Sequence, residues 1–344
     1  MVDDSQAWDG QSAEEEEDEE GYELYRITAD PGQEPLRVDK FLVNRTEKIS
    51  RNRIQQAAKA GGVRVDGTPV KPNFKVKPGM EVSIVIPNAP RELALLPEDI
   101  PLQVVFEDQQ VSVINKEAGM VVHPGHGNYT GTLVNALLHH YNQLPDTSED
   151  NSRPGLVHRL DKNTSGLMVV AREDYAMTHL ARQFFDRTTE RTYVALVWGD
   201  FEEMEGEVEG HIGRHERDRL KMDVFPEGEQ GKYALTRYKV LKRFGYVTLV
   251  ECKLATGRTH QIRVHMAHIG HPLFNDERYG GDHIVFGTVY TKYKQFIENC
   301  FQVCPRHALH AKSLGFEHPD TGEWMQFDSE LPQDMQDLLQ KWER

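Results

Sequence analysis

The sequence predicts an α+β protein, in which a small domain of two helices and a hairpin precedes a larger domain with a mixed, mainly antiparallel sheet. Three observations predict this class. The chain has 344 residues, enough for two domains. Helical and strand-like segments follow one another without the strict βαβ order of a doubly wound fold. Residues 36–87 also hold eleven Lys and Arg against four Asp and Glu, although the whole chain has a net charge of -15.

An acidic segment opens the chain. Residues 1–25 hold eleven acidic residues and no lysine or arginine, and residues 14–20 are acidic without interruption. Such a run repels itself and has too little apolar surface to fold. We therefore predict a disordered tail over residues 1–25, which either keeps the protein in solution or competes with an anionic partner for the basic domain.

The small basic domain is expected over residues 26–88. Apolar residues have helical spacing in its first half, and alternation with Asp-Gly and Pro-Gly turns follows in its second half. The predicted elements are two helices, at residues 36–43 and 50–60, and two strands, at residues 63–65 and 81–86. This order resembles the S4 RNA-binding domain. We expect Arg51 and Arg53 to contact RNA phosphates, unless they belong to an ordinary solvated helix face.

The larger domain is expected over residues 102–344. Four prolines within residues 87–101 predict a linker before it, which we place at residues 89–101. The predicted elements of the larger domain are strands at residues 104–106, 111–114, 192–198 and 245–252, and helices at residues 131–141 and 172–187.

Composition excludes several classes of protein. No apolar run reaches the roughly 18 residues of a membrane span, and the first residues do not have the pattern of a secretory signal. Three cysteines are too few for a disulfide framework, so we expect a cytoplasmic protein without a membrane partner. The histidine spacings match no zinc motif, and we expect Cys300 and Cys304 to be buried thiols on a helix rather than metal ligands.

The segment richest in reactive side chains is residues 155–171. Two apolar stretches flank His158, Arg159 and Asp161, which places these polar groups at the end of a strand. Nearby cations favour an ionised Asp161 carboxylate, as a nucleophile requires. From the residues alone, a structural Arg–Asp pair in a turn explains the pattern as well as a catalytic site does.

Residues 158–167 read His-Arg-Leu-Asp-x-x-Thr-Ser-Gly-Leu and resemble the catalytic motif of the RluA family of RNA pseudouridine synthases. Residues 191–199 resemble the second motif of this family, and residues 257–265 resemble the third. Residues 115–124 resemble the strand that precedes them. An S4-like domain in front is the arrangement of RluC-like and RluD-like members, and residues 158–171 are most similar to the RluD-like members.

The resemblance implies an isomerase that flips specific uridines of 23S ribosomal RNA, in helix 69, out of their stack and converts them to pseudouridine. It implies that Asp161 acts in cleavage of the glycosidic bond, that Tyr193 stacks on the base, and that Arg263 pairs with Asp161. Its implied substrate-binding residues are His158, Arg159, Thr164, Arg258 and Gln261. The implied partner is 23S ribosomal RNA or the large ribosomal subunit, without metal or cofactor, and we expect a monomer.

Three alternatives stay open at this point. One is an RluC-like synthase that acts on other uridines of 23S ribosomal RNA. Another is a non-catalytic RNA-binding factor in ribosome assembly, against which the presence of Asp161 and Tyr193 counts. The third is a glycosidase or nucleosidase, which usually needs a second carboxylate, and residues 155–171 offer Asp161 alone.

Overall fold

The computed structural model of the protein describes residues 21–46, 51–87, 95–125, 128–141, 143–146, 153–215, 218 and 221–343, with the side chains of residues 21–24, 52, 53 and 85–87 left out. These residues form two compact units, one within residues 21–87 and one from residue 95 onward. Within the described ranges, no helix is long and apolar enough to cross a membrane. The mixed α and β composition confirms the predicted class.

The small unit contains two helices and short strands. Its elements are β1 (Gly21–Thr28), β2 (Leu36–Arg37), α1 (Val38–Val43), α2 (Arg51–Lys59), β3 (Val63–Val65), β4 (Thr68–Pro69), β5 (Lys75–Val76) and β6 (Glu81–Pro87). One sheet has the order β1-β6-β3-β4, and β2 pairs with β5. Phe41 and Leu42 of α1 and Ile54 of α2 are fully buried in the core, as their spacing predicts.

Strand β1 corrects the predicted acidic tail. It pairs antiparallel with β6, from Gly21 opposite Pro87 to Thr28 opposite Glu81, so a disordered tail is wrong for residues 21–25. Tyr25 and Ile27 alternate along β1 and pack against the core of the small unit. The acidic composition concealed this short alternation. Residues 1–20 lie outside the described residues.

Two truncated chains distinguish the contribution of the acidic run to stability from that of strand β1. Removal of residues 1–20 is expected to leave the melting temperature of the small unit unchanged. Removal of residues 1–28 also deletes β1 and exposes part of its apolar core, which we expect to cost about 2–3 kcal/mol. Thermal unfolding followed by circular dichroism measures both. Equal stability of the two truncated chains would contradict a structural role for β1.

The large unit is built on one extended sheet with helices packed against it. Its elements are β7 (Val104–Glu107), β8 (Val111–Lys116), α3 (Leu133–Tyr141), β9 (Ser165–Ala171), α4 (Asp174–Asp186), β10 (Glu190–Trp198), β11 (Glu205–Arg214), β12 (Met222–Phe225), β13 (Lys232–Arg243), β14 (Val247–Leu254), α5 (Gln261–His268), α6 (Thr291–Val303), β15 (Leu309–Glu317), β16 (Trp324–Asp328) and α7 (Gln333–Trp342).

The strand order explains how distant motifs meet. Among the described residues the sheet has ten strands, in the order β12-β11-β13-β14-β10-β15-β9-β8-β7, and β16 pairs with β15. Strands β9 and β15 are parallel, whereas the other neighbours in this sheet are antiparallel, which confirms the mainly antiparallel prediction. Strand β15 therefore lies between β9, which follows the segment of Asp161, and β10, which carries Tyr193.

One glycine is required where β9 meets β15. Gly166 pairs with Ala311 in the parallel register and has a φ of 121°. A Cβ atom at this position would collide with the backbone of Ala311. The glycine of the sequence motif therefore allows β9 to approach β15 closely directly after the turn that holds Asp161.

The first residues of the large unit correct the predicted linker. Residues 95–101 contact the body of this unit, so a linker is wrong for them, and residues 88–94 lie outside the described residues. Leu95 packs against the main core. The Glu98 carboxylate accepts a hydrogen bond from Gly131 N at 3.1 Å, and Asn135 Nδ2 donates to Leu96 O at 2.8 Å. The segment is extended, so Leu96 O and the Glu98 carboxylate can accept hydrogen bonds from groups at the start of α3.

Candidate active site

Asp161 begins a tight turn directly before β9. Thr164 N donates to Asp161 O at 3.0 Å, which closes the turn. The Asp161 side chain is 21% exposed, and its Oδ2 accepts a hydrogen bond from Arg263 Nη1 at 2.9 Å. The structure therefore joins the first and third sequence motifs through one charged hydrogen bond, in a site that solvent still reaches.

Arg263 is held in place by a second carboxylate. Its Nε and Nη2 donate to the two oxygens of Asp276 at 2.7 and 2.9 Å, and the Asp276 side chain is fully buried. The ring of Tyr279 lies 5.0 Å from the guanidinium carbon. Such a bidentate pair fixes the plane of the guanidinium, and Nη1 is then directed at Asp161. Asp276 belongs to none of the three motifs and is therefore not among the residues predicted from the sequence.

The charges of this cluster are set by their neighbours. Burial by itself would raise the pKa of the Asp161 carboxyl, but the adjacent His260 and Arg263 side chains hold that pKa well below its usual range. Burial would likewise lower the pKa of Arg263, but its hydrogen bonds to Asp276 and the charge of Asp161 raise it. Asp161 is therefore an anion and Arg263 a cation at neutral pH.

His260 is a second neighbour of Asp161 that sequence analysis did not select. Its Nε2 lies 3.9 Å from Asp161 Oδ2, and its Nδ1 is hydrogen-bonded to the Tyr279 hydroxyl at 2.9 Å. That hydroxyl accepts a bond from Met222 N at 3.0 Å, so we assign its proton to the bond with Nδ1. Burial lowers the pKa of His260 to about 4. At neutral pH the imidazole is therefore uncharged and presents Nε2–H toward Asp161.

The backbone of His260 is unusual as well. It has a φ of 54°, in the left-handed region that few residues other than glycine adopt, and it is the residue before α5. Strained backbone of this kind persists where the surrounding structure holds it, often at functional sites. Here it brings the imidazole to Asp161 from the start of the helix that carries Arg263.

Tyr193 is a buried residue of the main hydrophobic core. It lies on β10 opposite Cys252 of β14 and Ala311 of β15, and it is 8% exposed. Burial raises the pKa of Tyr193, Arg191 opposes this rise, and the charge of Asp161 adds to it, so the phenol is neutral at neutral pH. Tyr193 therefore brings a neutral aromatic ring within the electrostatic reach of the Asp161 carboxylate.

Two buried basic side chains hold the backbone of the Asp161 turn. Lys116 is 1% exposed, and its Nζ donates to Lys162 O at 3.1 Å, Glu117 O at 2.8 Å and Met120 O at 2.9 Å. Burial lowers the pKa of Lys116 to about 7.

Arg306 is the second of these side chains. It donates to Asn163 O at 3.0 Å and bonds Asp334 of α7 through Nε and Nη2 at 2.7 and 3.0 Å. Lys162 and Asn163, whose carbonyls accept bonds from Lys116 and Arg306, directly follow Asp161 in sequence.

Lys116→Met is expected to reduce turnover more than RNA affinity. The substitution removes the Nζ donor from Lys162 O of the turn and from Glu117 O and Met120 O, which costs about 1–3 kcal/mol of stability. A small displacement of Asp161 would lower the single-turnover rate by roughly ten- to a hundredfold. Single-turnover kinetics and RNA titration separate the two effects. An unchanged rate would show that Lys116 supports the fold and does not position Asp161.

Three of the predicted substrate-binding side chains are engaged inside the fold. Thr164 is buried and hydrogen-bonded to His307 Nε2 at 2.9 Å. His158 Nε2 accepts a bond from Val169 N at 3.0 Å, and burial lowers its pKa to about 3. Gln261 is buried and bonds Thr256 and several backbone groups. These contacts show that the three side chains support the local structure, and their contact with a substrate stays a prediction.

The predicted arginines differ in their surroundings. Arg159 is exposed, two residues before Asp161, and Arg258 donates from Nε to Tyr233 O at 3.1 Å. Arg51, in the small unit, bonds the fully buried Asp39 carboxylate at 3.1 Å. An arginine paired in this way is a weaker phosphate ligand than predicted, because a phosphate would have to compete with Asp39. The side chain of Arg53 lies outside the described residues.

Known proteins are similar to this chain in sequence and in domain content. The sequence matches the RNA pseudouridylate synthase family over residues 110–268 and the S4 domain over residues 36–82. An uncharacterized RNA pseudouridine synthase of Chlorobaculum parvum is 45% identical over 90% of this chain and 94% of its own. The chain belongs to the RNA pseudouridine synthase family. It is therefore an isomerase, which excludes the non-catalytic and glycosidase alternatives.

Two further relatives of this pseudouridine synthase extend the comparison. Ribosomal large subunit pseudouridine synthase D of Zymomonas mobilis is 42% identical over 88% of this chain and 92% of its own. The structure of the human protein named RNA Pseudouridylate Synthase Domain Containing 1 has a TM-score of 0.50 and 25% identity, covering 72% of this chain and 96% of that chain. The family and the S4 domain predicted from the sequence motifs are confirmed.

Proposed function

We propose that this synthase converts specific uridines of large-subunit ribosomal RNA to pseudouridine, with helix 69 of 23S ribosomal RNA as its target. Relatives from Zymomonas mobilis and Nitrosomonas europaea that are both named Ribosomal large subunit pseudouridine synthase D are 42% identical to this chain. Residues 158–171 are also most similar to RluD-like members. The S4 domain supports an RNA substrate.

The observation that carries the proposed chemistry is the chain of contacts from Asp276 through Arg263 to Asp161. Asp161 is the carboxylate kept ionised within reach of a ligand, and we assign to it the action on the ribose. The target uridine leaves its stack, and its base lies against Tyr193. Arg263 maintains the charge and the direction of the carboxylate while the base reacts.

The proposed reaction rearranges bonds within one nucleotide. The bond from ribose C1′ to uracil N1 breaks, the base rotates, and a bond from C1′ to C5 forms. The proton at C5 leaves, a step in which we assign an assisting role to Tyr193, and N1 gains a proton. Nothing is oxidised or transferred to another molecule, so the reaction as proposed takes no metal or cofactor.

A mapping experiment tests the target. Pseudouridines in 23S ribosomal RNA are located by carbodiimide treatment and primer extension, in cells with and without the gene. We expect the helix 69 positions to lose their signal in the deletion strain and to regain it with the intact gene but not with Asp161→Asn. Loss of signals only outside helix 69 would favour the RluC-like alternative, and an unchanged map would contradict the proposed function.

A further inference from the structure

Three arginines lie together beside Tyr193, and we call them the arginine cluster (Arg187, Arg191 and Arg258). Arg191 is two residues before Tyr193 on β10, so both side chains point to the same face, about 6.6 Å apart along the strand. Arg258 follows Gly257, where a Cβ would lie 2.8 Å from Arg191 Nη1, so the glycine leaves room for that guanidinium. Arg187 is the residue after α4, with a φ of 61°.

The fold holds Arg191 in a defined position. Its guanidinium carbon lies 5.4 Å from the centre of the Phe184 ring, which stacks on the His158 ring at 4.5 Å. Its Nε is buried, and among the described residues it has no hydrogen-bond partner. A buried donor of this kind costs free energy. The fold alone therefore does not satisfy this guanidinium, which favours an anion as its partner.

Nearby acidic side chains are engaged elsewhere. Asp186 accepts from Arg182 at 3.2 Å, Glu207 accepts from Arg237 at 2.6 Å, and Glu209 accepts from the Tyr233 hydroxyl at 3.2 Å. Over the described ranges, no member of the arginine cluster forms an ion pair. Burial and the charge of Arg187 lower the pKa of both Arg191 and Arg258, which is the expected response of cations placed close together without an anion.

We propose that the arginine cluster binds a backbone phosphate of the RNA next to the nucleotide whose base lies against Tyr193. Guanidinium groups bind phosphate oxygens through paired hydrogen bonds. Arg191 of the cluster lies two residues along β10 from Tyr193, the proposed contact of the base. The cluster thus fixes the backbone while the base is held for reaction. This inference rests on the proposed function, because it takes RNA as the substrate.

The test compares two double variants of equal charge. Arg187→Gln with Arg258→Gln removes an exposed and a half-buried member of the cluster, whereas Lys292→Gln with Lys294→Gln removes two exposed cations outside it, on α6. Both are made in the Asp161→Asn protein, so that binding is measured without turnover. The probe is a stem–loop RNA with the helix 69 sequence, titrated by fluorescence anisotropy at several salt concentrations.

We expect the cluster variant to lower the slope of log affinity against log salt by about one unit, as loss of one phosphate contact predicts, and the control variant to leave it unchanged. Ethylation interference gives a second measurement. A phosphate whose ethylation weakens binding of the parent protein should have no such effect with the cluster variant. Equal slopes for both double variants, or an unaltered interference pattern, would overturn the proposal.

Failure of this inference is distinguishable from failure of the proposed function. Pseudouridine formation on the same RNA is measured with the protein that retains Asp161. Active protein together with an unchanged salt slope in the cluster variant contradicts the arginine cluster alone. Inactive protein contradicts the proposed target, while the binding comparison still decides whether the cluster contacts phosphate.

Discussion

Asp161→Asn is expected to abolish pseudouridine formation while the fold and the RNA affinity persist. The amide keeps the shape of the side chain and still accepts the hydrogen bond from Arg263, and Asp276 retains both of its own bonds to Arg263. What disappears is the negative charge and the nucleophilic carboxylate. Loss of such a group lowers turnover by roughly 10⁴-fold or more. RNA affinity should stay equal or rise slightly, because one anion near the phosphates is removed.

Single-turnover conversion of an RNA fragment with the helix 69 sequence measures this effect. A suitable control is Asp328→Asn, which removes an exposed carboxylate paired with Lys312 on the edge of the sheet. The control should retain the wild-type rate and melting temperature. Activity of Asp161→Asn within about tenfold of wild type, or roughly 1.4 kcal/mol in the barrier, would show that the carboxylate is not the essential group.

Some of the residues around Asp161 could be predicted from the sequence, and others could not. Asp161, Tyr193 and Arg263 were selected because their motifs resemble those of a known family, and the structure brings Arg263 to Asp161. Asp276 has no such signal: it meets Arg263 only after the chain leaves α5 and returns through a loop. His260 lies inside a motif, but its approach to Asp161 depends on a left-handed backbone conformation that the side-chain pattern does not reveal.

In the fold, elements that depend on local sequence were predicted, whereas the pairing of distant strands was not. Helices α1 and α2 follow from the spacing of apolar residues, because that periodicity acts within the element itself. The position of β15 between β9 and β10 follows from pairing between segments far apart in sequence, which local patterns do not specify. Strand β1 was missed for a third reason, since a strong acidic composition next to it outweighed a short alternating pattern.

Motif membership alone does not separate residues that contact a substrate from residues that support the site. Thr164 and Gln261 lie in the motifs, and we predicted substrate contact for both, yet their polar atoms bond His307 and Thr256 inside the fold. A motif records every residue that a site needs, including those that only hold others in place. Burial and hydrogen-bond partners distinguish the two kinds, and these quantities come from the tertiary structure.

Arg263→Gln is expected to have the second largest effect, because Arg263 neutralises two carboxylates at once. Removal of the cation leaves Asp161 and the fully buried Asp276 without their charged partner. Breaking a buried pair in this way costs about 3–5 kcal/mol of stability. Arg263→Lys serves as the matched variant: it retains the charge but not the planar fork, so we expect a smaller loss of stability and a partial loss of activity.

The pH dependence separates chemistry from structure in Arg263→Gln. In the wild type the pKa of Asp161 is held low, so the group is ionised from mild acid upward, and its stabilising effect is lost only as the pH falls through that low value. Without Arg263, and with His260 uncharged above about pH 4, burial prevails and raises the pKa of Asp161 above its ordinary value. The variant should therefore gain activity with rising pH where the wild type is constant, and its stability should fall over the same rise. Single-turnover rates and melting temperatures across mild acid to neutral pH measure both, and an equal loss of rate at every pH would show that Arg263 acts on the substrate and not through the charge of Asp161.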